Sequence, residues 1–270
     1  DLMAIHGKEL LDTAAENKVD LRFEASVAGG IPIINVLKND LVANNIISIM
    51  GIVNGTTNYI LTRMYEENGD FQEILKEAQE LGYAEADPTA DIGGFDAARK
   101  VAILASIAYN SRVTLDDVYV EGIEKISALD IDAARKLGYV IKLLGIAREQ
   151  EGEIEARVHP VMIPKKHPLA SVGDTFNAVF VTGDAVGETM FYGRGAGDLP
   201  TGSAVAGDIC GVVEDMKNDV LGTQGCTCYM DKPIRAQADF DSKFYIRMKV
   251  QDSPGVMALV AKILGDHGVS

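Results

Sequence analysis

The sequence has 270 residues, 47% hydrophobic and 24% charged, a composition that supports one large globular domain or two smaller ones, each with its own core. Its formal net charge of −15 argues against a nucleic-acid partner, because phosphate binding needs a basic face and the Lys and Arg residues do not cluster into one. No apolar run reaches the length of a membrane span, and Asp1-Leu2-Met3 opens with neither a basic segment nor a signal-like apolar stretch. Cys210, Cys226 and Cys228 are sparse and odd in number, so they read as free thiols in a reducing compartment, and the expected location is cytoplasmic. Cys226-Thr227-Cys228 lacks the two further ligands that a metal site would need nearby.

In chain order, residues 1–18 carry Leu2, Ile5, Leu10, Leu11 and Ala14 at helical spacing, and 19–27 reads as a strand. No G-x-G-x-x-G follows a strand near the start, so the sequence lacks the phosphate-cradling loop of a dinucleotide fold. Ala28-Gly29-Gly30-Ile31-Pro32 predicts a turn entering a helix that runs to about Leu41, with Pro32 suited to its first turn. A strand over 46–53 leads through Asn54-Gly55-Thr56 into a helix ending near Glu67, and 71–81 is an amphipathic helix closing on Gly82. A loop over 83–95 precedes a nearly all-apolar helix over 95–109. Thr114, Asp116 and Asp117 resemble a helix entry, and 130–148 reads as a further helix. Strands are expected at 154–163, 176–182 and 188–192, a glycine-rich loop at 193–202, a helix over 204–218 and a polar linker over 221–243. Phe244 to Val250 reads as a strand, followed by Asp252-Ser253-Pro254-Gly255 and a helix to Gly265.

The chemistry concentrates between Gly82 and Lys100. Glu85, Asp87, Asp91, Asp96 and Lys100 surround a loop shaped by Pro and Gly that ends at a buried helix. Asp96 and Lys100 are four apart and share one helix face, an arrangement that alone reads as an ordinary exposed ion pair. Because the helix body beyond them is apolar, its charged first turn is expected at a cleft, where a lysine beside a carboxylate can move a proton at a carbonyl or an alcohol. Asn54-Gly55-Thr56 reads equally as a helix N-cap and as a set of free N–H groups facing a carboxylate. Gly82 can be a helix C-cap and Gly197 a turn. The histidines show no metal spacing and receive no role.

The stretch from Ala78 through Gly82-Tyr83, Asp87-Pro88, Asp91, Gly94 and Asp96 to Lys100 resembles the signature of the homoserine dehydrogenases, as do Glu24 to Ile34, Gly51 to Leu61 and Gly193 to Gly202. The resemblance implies interconversion of L-aspartate 4-semialdehyde and L-homoserine with NAD or NADP, on the route to threonine, methionine and isoleucine. It implies that Lys100 is the proton donor and acceptor, supported by Asp96, that Glu85, Asp96 and more weakly Asp91 contact the amino-acid substrate, and that Gly82 and Gly197 approach the nicotinamide cofactor. It further implies a monovalent cation such as sodium, held mostly by main-chain oxygens of Glu24, Val27, Gly29 and Ile31. The implied fold is α+β, a mixed β-sheet covered by helices, attached to the remnant of a Rossmann-type domain and followed by the start of an ACT module.

The domain expectations are a dinucleotide-domain remnant at 1–27, a catalytic and dimerisation domain at 28–203, a returning helix at 204–220, a linker at 221–243 and a truncated ACT module at 244–270. A homodimer is the implied assembly, and threonine is the implied effector of a complete ACT module. The family's second active-site lysine and its phosphate-binding loop would fall upstream of Asp1, so a polypeptide of these residues alone is expected to bind dinucleotide weakly and turn over poorly. The DxPG unit favours the monofunctional type over one half of an aspartokinase–homoserine dehydrogenase. A different class of reading is an amino-acid-sensing regulatory protein with an inactive core, against which the intact Glu85, Asp96 and Lys100 set argues.

Overall fold

A computed structural model describes residues 1–223 and 225–268. Gln224 in the expected linker, and Val269 and Ser270 at the end of the expected ACT module, lie outside the described residues. The chain divides into two compact units, residues 1–240 and 241–270.

In the first unit, α1 (Leu2–Glu16) is followed by a 3-10 turn at Glu24–Ser26 and a π-helical turn at Val36–Asp40. Then come β1 (Ile46–Ile52), α2 (Gly55–Glu67), α3 (Phe71–Glu80), the single turn α4 (Thr89–Ile92), α5 (Phe95–Ala108), β2 (Tyr119–Val120) and α6 (Ala128–Lys136). The strands β3 (Tyr139–Gln150), β4 (Glu153–Pro164), β5 (Phe176–Gly183) and β6 (Gly187–Arg194) precede α7 (Asp198–Asn218). Among the described residues six strands form one mixed sheet in the order β2-β4-β3-β1-β5-β6, with β2–β4 parallel and the other pairs antiparallel. The expected mixed sheet covered by helices is therefore the fold observed.

Helix α5 lies across one face of this sheet, against β1, β3 and β4. It packs closely because its buried face is built of small and branched residues, Ala97, Ala98, Val101, Ala102 and Ala105. Gly145 on β3 leaves room for the helix, since a Cβ there would lie 2.2 Å from Val101 Cγ2. At the far end of α5 the Tyr109 hydroxyl donates to the Ala147 carbonyl on β3 at 2.8 Å, fixing helix to strand. The opposite face of the sheet carries a smaller cluster of Ile52, Leu144, Ile146, Phe180, Leu169 and Val172.

Several sequence expectations are corrected. Residues 139–148 are not helical: Gly138, with φ +84, ends α6, and Tyr139 to Ile146 runs as a strand. That apolar run suits a strand buried on both faces better than an amphipathic helix. It turns into β4 through Glu151 and Gly152, both at positive φ, as a two-residue hairpin turn requires. No strand forms over 19–27, because its polar side chains point to separate anchors: Arg22 pairs with Asp215, Asp20 accepts from the Gly222 N–H, and Glu24 is buried. The helix expected from Pro32 does form, as a short run of helical turns over 34–40, and the Glu24 carboxylate caps its start by accepting the N–H groups of Ile33, Ile34 and Asn35 at 2.6–2.8 Å. Helix α7 starts at Asp198, inside the loop expected over 193–202, with Pro200 in its first turn where a missing N–H costs nothing. The short parallel strand β2 has too few residues to show periodicity.

The stretch that reads as a linker is fastened to the first unit. Met230 donates its N–H to Asn110 O at 2.8 Å, Ile154 pairs with Pro233 and Arg235 through the backbone, and Lys232 and Arg235 reach Glu149 and Glu153. In the second unit, α8 (Val256–Asp266) begins behind Gly255, whereas 244–250, expected as a strand, joins no ladder among the described residues. An isolated extended segment gains nothing from a strand conformation without a neighbouring backbone to bond.

Lys142 on β3 is buried, its ammonium donating to Asn58 Oδ1 at 2.9 Å, Thr62 Oγ1 at 3.2 Å and Val172 O at 2.7 Å. All three acceptors are neutral, so loss of water dominates and lowers its pKa to about 8, opposed by the more distant charges of Glu66 and Asp174. Between about 8 and 10.5 the unfolded chain holds more protons than the folded one, so raising the pH stabilises the fold. Denaturant titrations of wild type and Lys142→Met should therefore diverge in favour of wild type by about 3 kcal/mol across that window; a constant difference would mean an ordinary lysine. Gly145→Ala should cost about 1–3 kcal/mol in the same assay, because the added methyl collides with Val101.

Candidate functional site

The end of β1, the start of α2, the loop after α3 and the start of α5 converge on one side chain, Asn54. Its Oδ1 caps α2 by accepting the Thr57 N–H at 2.9 Å, leaving both amide hydrogens for other partners. These go to Asp91 Oδ1 at 2.7 Å and Asp96 Oδ2 at 2.9 Å. Asp96 Oδ2 also accepts from Lys100 Nζ at 2.7 Å, and the same ammonium donates to the carbonyl of Val53 at 2.8 Å. Gly94 makes this possible: at φ +84 it reverses the chain between α4 and α5, so that Asp91 and Asp96 reach the same amide.

The lysine is thus held from two sides and remains only partly covered, with 19% of its side chain exposed, against 32% for Asp96. A fully exposed ion pair would be mobile; this one has a fixed direction because a main-chain oxygen takes a second hydrogen. The loop above it is tied to α2 by Thr56 Oγ1, which donates to Tyr83 O at 2.6 Å.

The sequence-derived candidates separate into groups. Asp91, Asp96 and Lys100 are brought together. Glu85 stands apart on the exposed loop, where its main-chain oxygen accepts from Gln79 Nε2 at 3.1 Å. Asp87 closes a local turn, accepting from the N–H and hydroxyl of Thr89, which hold its carboxyl below the usual carboxylate range. Gly82 follows the C-cap of α3 with φ +75, and a Cβ there would meet nothing within 4 Å. Gly197, at φ +111, is the N-cap of α7. Asn54 and the Val53 carbonyl are the parts that sequence reasoning did not place beside the lysine. The Asn at a strand end was visible as a cap, but its second set of bonds runs to residues far along the chain.

The Glu24–Ile31 turn packs against the glycine-rich loop before α7. Gly30 N–H donates to Arg194 O at 3.1 Å, and a Cβ on Gly29 would lie 2.4 Å from Gly195 O. The Glu24 carboxylate is engaged by the three N–H groups of residues 33–35, and the Glu24 N–H donates to Asp208 on α7 at 2.9 Å. A cation at this turn would therefore be coordinated by main-chain oxygens rather than by that carboxylate. Among the described residues no group of three or more His, Cys, Asp or Glu could hold a metal ion.

Comparison with known proteins places these features in a family. The sequence model of the homoserine dehydrogenases matches residues 32–210, a stretch that contains the Asn54, Asp91, Asp96 and Lys100 cluster. A homoserine dehydrogenase of Bacillus subtilis is 47% identical over the whole of this chain, which spans 62% of that protein's length. A crystal structure of a homoserine dehydrogenase from Thiobacillus denitrificans superposes with a TM-score of 0.85 at 42% identity, over 98% of this chain and 62% of that one. A hyperthermophilic archaeal homoserine dehydrogenase in complex with NADPH gives a TM-score of 0.67 at 32% identity, over 79% of this chain and 61% of its own. The chain spans about three fifths of the length of the curated relatives it matches. It belongs to the homoserine dehydrogenase family.

Proposed function

We propose that this chain carries the substrate-binding and proton-transfer half of a nicotinamide-dependent homoserine dehydrogenase, interconverting L-aspartate 4-semialdehyde and L-homoserine. The observation that carries the reading is the fixed ammonium of Lys100, held by Asp96 and Val53 O with one hydrogen left to offer. When bound, the cofactor NAD(P)H supplies the hydride that reduces the aldehyde carbon. Gly82 and Gly197 suit its approach, the former because no side chain or neighbour occupies the space where its Cβ would lie. NADPH is the cofactor named for the archaeal relative, and both NADP and NAD remain assigned here.

Lys100 protonates the oxygen of the developing alkoxide and, in the reverse direction, accepts the proton from the homoserine hydroxyl. Asp96 keeps the ammonium oriented and offsets its charge, and Asn54 keeps Asp96 from turning away. Asp91, on the same amide, presents a further oxygen toward a substrate ammonium group, and Glu85 is the exposed carboxylate that would close over it from the loop.

The same reading assigns a monovalent cation, sodium by its hard oxygen ligands, to the main-chain oxygens of Glu24, Val27, Gly29 and Ile31. Residues 1–27 and 204–220 belong with a dinucleotide-binding domain, 28–203 with catalysis and homodimerisation, 221–243 with the connection, and 244–270 with the opening of an ACT module through which threonine would act. The proposed location is the cytoplasm.

The test is NAD(P)-linked oxidation of L-homoserine by the complete gene product that contains these residues. Lys100→Ala should lower kcat by about 10²–10⁴-fold with the fold retained by circular dichroism; unchanged turnover would remove Lys100 from the reaction. Asn54→Asp keeps the cap oxygen of α2 but sets a third carboxylate against Asp91 and Asp96. It should lower the thermal midpoint at pH 7 and recover part of the loss at pH 5, as one carboxyl takes up a proton. A loss that does not vary with pH would show that the Asn54 amide does not hold the two aspartates.

A further inference from the structure

A second cluster lies away from the lysine, where α1, the middle of α5 and the segment after α7 enclose a cleft. Its walls include Met3, Phe23 and Ile103 among the apolar residues, and Lys8, Lys38 and Arg112 among the charged ones, together with both cysteines of Cys226-Thr227-Cys228. The chain bends at Thr227, and the Cys228 N–H donates to Cys226 Sγ at 3.3 Å, so the first sulfur is folded over the second residue. Both thiols are free and half-buried.

We propose that Cys226 and Cys228 form a reversible dithiol–disulfide site that exchanges with small anionic disulfides of the oxidised-glutathione class. The spacing brings the two Cα atoms within the separation a disulfide spans, and the bend has already turned one sulfur toward its partner. A metal is the weaker occupant, since among the described residues no third His, Cys, Asp or Glu joins the pair. The anionic preference follows from the lining. Lys8 is offset by Asp12 at 2.5 Å, but Lys38 and Arg112 are not paired with a carboxylate in the described ion pairs: Lys38 lies over the Phe23 ring and Arg112 donates to Ile5 O.

The two cysteines have different roles. Cys226, whose Sγ receives the Cys228 N–H, is the attacking sulfur. Burial and the neighbouring thiol push Cys228 up to about 12, so it stays protonated until it is needed. In the first step the Cys226 thiolate bonds to one sulfur of the external disulfide and expels the other half as a thiolate. Cys228 then gives its proton to solvent and attacks Cys226 Sγ, expelling the second half. Two electrons and two protons leave the protein, the external disulfide becomes two thiols, and a Cys226–Cys228 bond remains.

The experiment uses the 270-residue chain with Cys210→Ser, which removes the exposed thiol of α7. After incubation with oxidised glutathione, the intact mass should fall by two hydrogen atoms, peptide mapping should place the link between residues 226 and 228, and dithiothreitol should reverse it. Adding Cys228→Ser should halt the reaction at one glutathionyl group on Cys226, whereas Cys226→Ser should react at least about tenfold more slowly. Lys38→Gln should slow closure several-fold with oxidised glutathione while leaving it unchanged with the uncharged bis(2-hydroxyethyl) disulfide. Glutathionyl groups that persist on both cysteines, or no reaction at millimolar disulfide, would overturn the site. Equal slowing by Lys38→Gln with both reagents would overturn its anionic preference.

Discussion

The site hangs from one amide. Asn54 ends the backbone run of β1, caps α2 and ties Asp91 and Asp96 together, so four elements share a single side chain. An amide suits the position because it offers one acceptor and two donors at once. A carboxylate would supply the cap but repel both aspartates, and a hydroxyl would have one hydrogen for two acceptors. The lysine is then oriented at second hand: Asp96 is fixed by Asn54, and Lys100 is fixed by Asp96 and by the carbonyl just before Asn54. Lys100 is thus referenced to the end of a sheet strand, which fixes the direction of its ammonium.

The sheet supports that geometry through its own packing. Gly145 lets α5 settle against β3, Tyr109 pins the far end of the helix, and Lys100 near its start reaches the carbonyl that follows β1. Buried charge elsewhere is handled in three ways. Glu155 lies between Arg148 and Arg157 at 2.7 and 2.9 Å, Glu24 is solvated by main-chain N–H groups, and Lys142 is given neutral acceptors alone. Lys142, whose acceptors are all neutral, has its pKa lowered by the loss of water.

Much of this was legible in the sequence where the signal is local. The i, i+4 pair of Asp96 and Lys100 and the apolar body behind it gave the helix, its buried face and its charged entry, because helical periodicity survives within a few residues. The strands β5 and β6 and the helices α2 and α3 follow from equally local patterns, while the pairing of β5 with β6 is seen only in the structure. What failed was non-local. Tyr139 to Ile146 is apolar at every position but Lys142, so neither period is visible and only the ladder with β1 and β4 decides its state. The segment 19–27 has strand-like alternation, yet each of its polar residues serves a different anchor. Asn54 read as a cap or as part of a helix start facing a carboxylate, but its side-chain bonds to Asp91 and Asp96 lie beyond any local window. Glu85, which the resemblance placed at the substrate, lies on the exposed loop after α3.

The position of β1 also bears on how the molecule folds. β3 with β4 and β5 with β6 are hairpins whose ends are neighbours in the chain, so their closure costs little entropy. β1 is different: Ser48 pairs with Arg148 on one side and with Thr182 on the other, both far along the chain. Non-local pairings of this kind are the slow ones, because loop entropy is spent before contacts repay it. The central strand is then the last to dock, wedged between two hairpins that form without it. Since Val53 and Asn54 follow directly from β1, Lys100 gains the Val53 carbonyl, and Asp96 its tie to Asn54, only in that closing event, whereas the Asp96–Lys100 pair is local to α5. A chain that has built both hairpins but not yet seated β1 would hold much of its secondary structure and none of its chemistry.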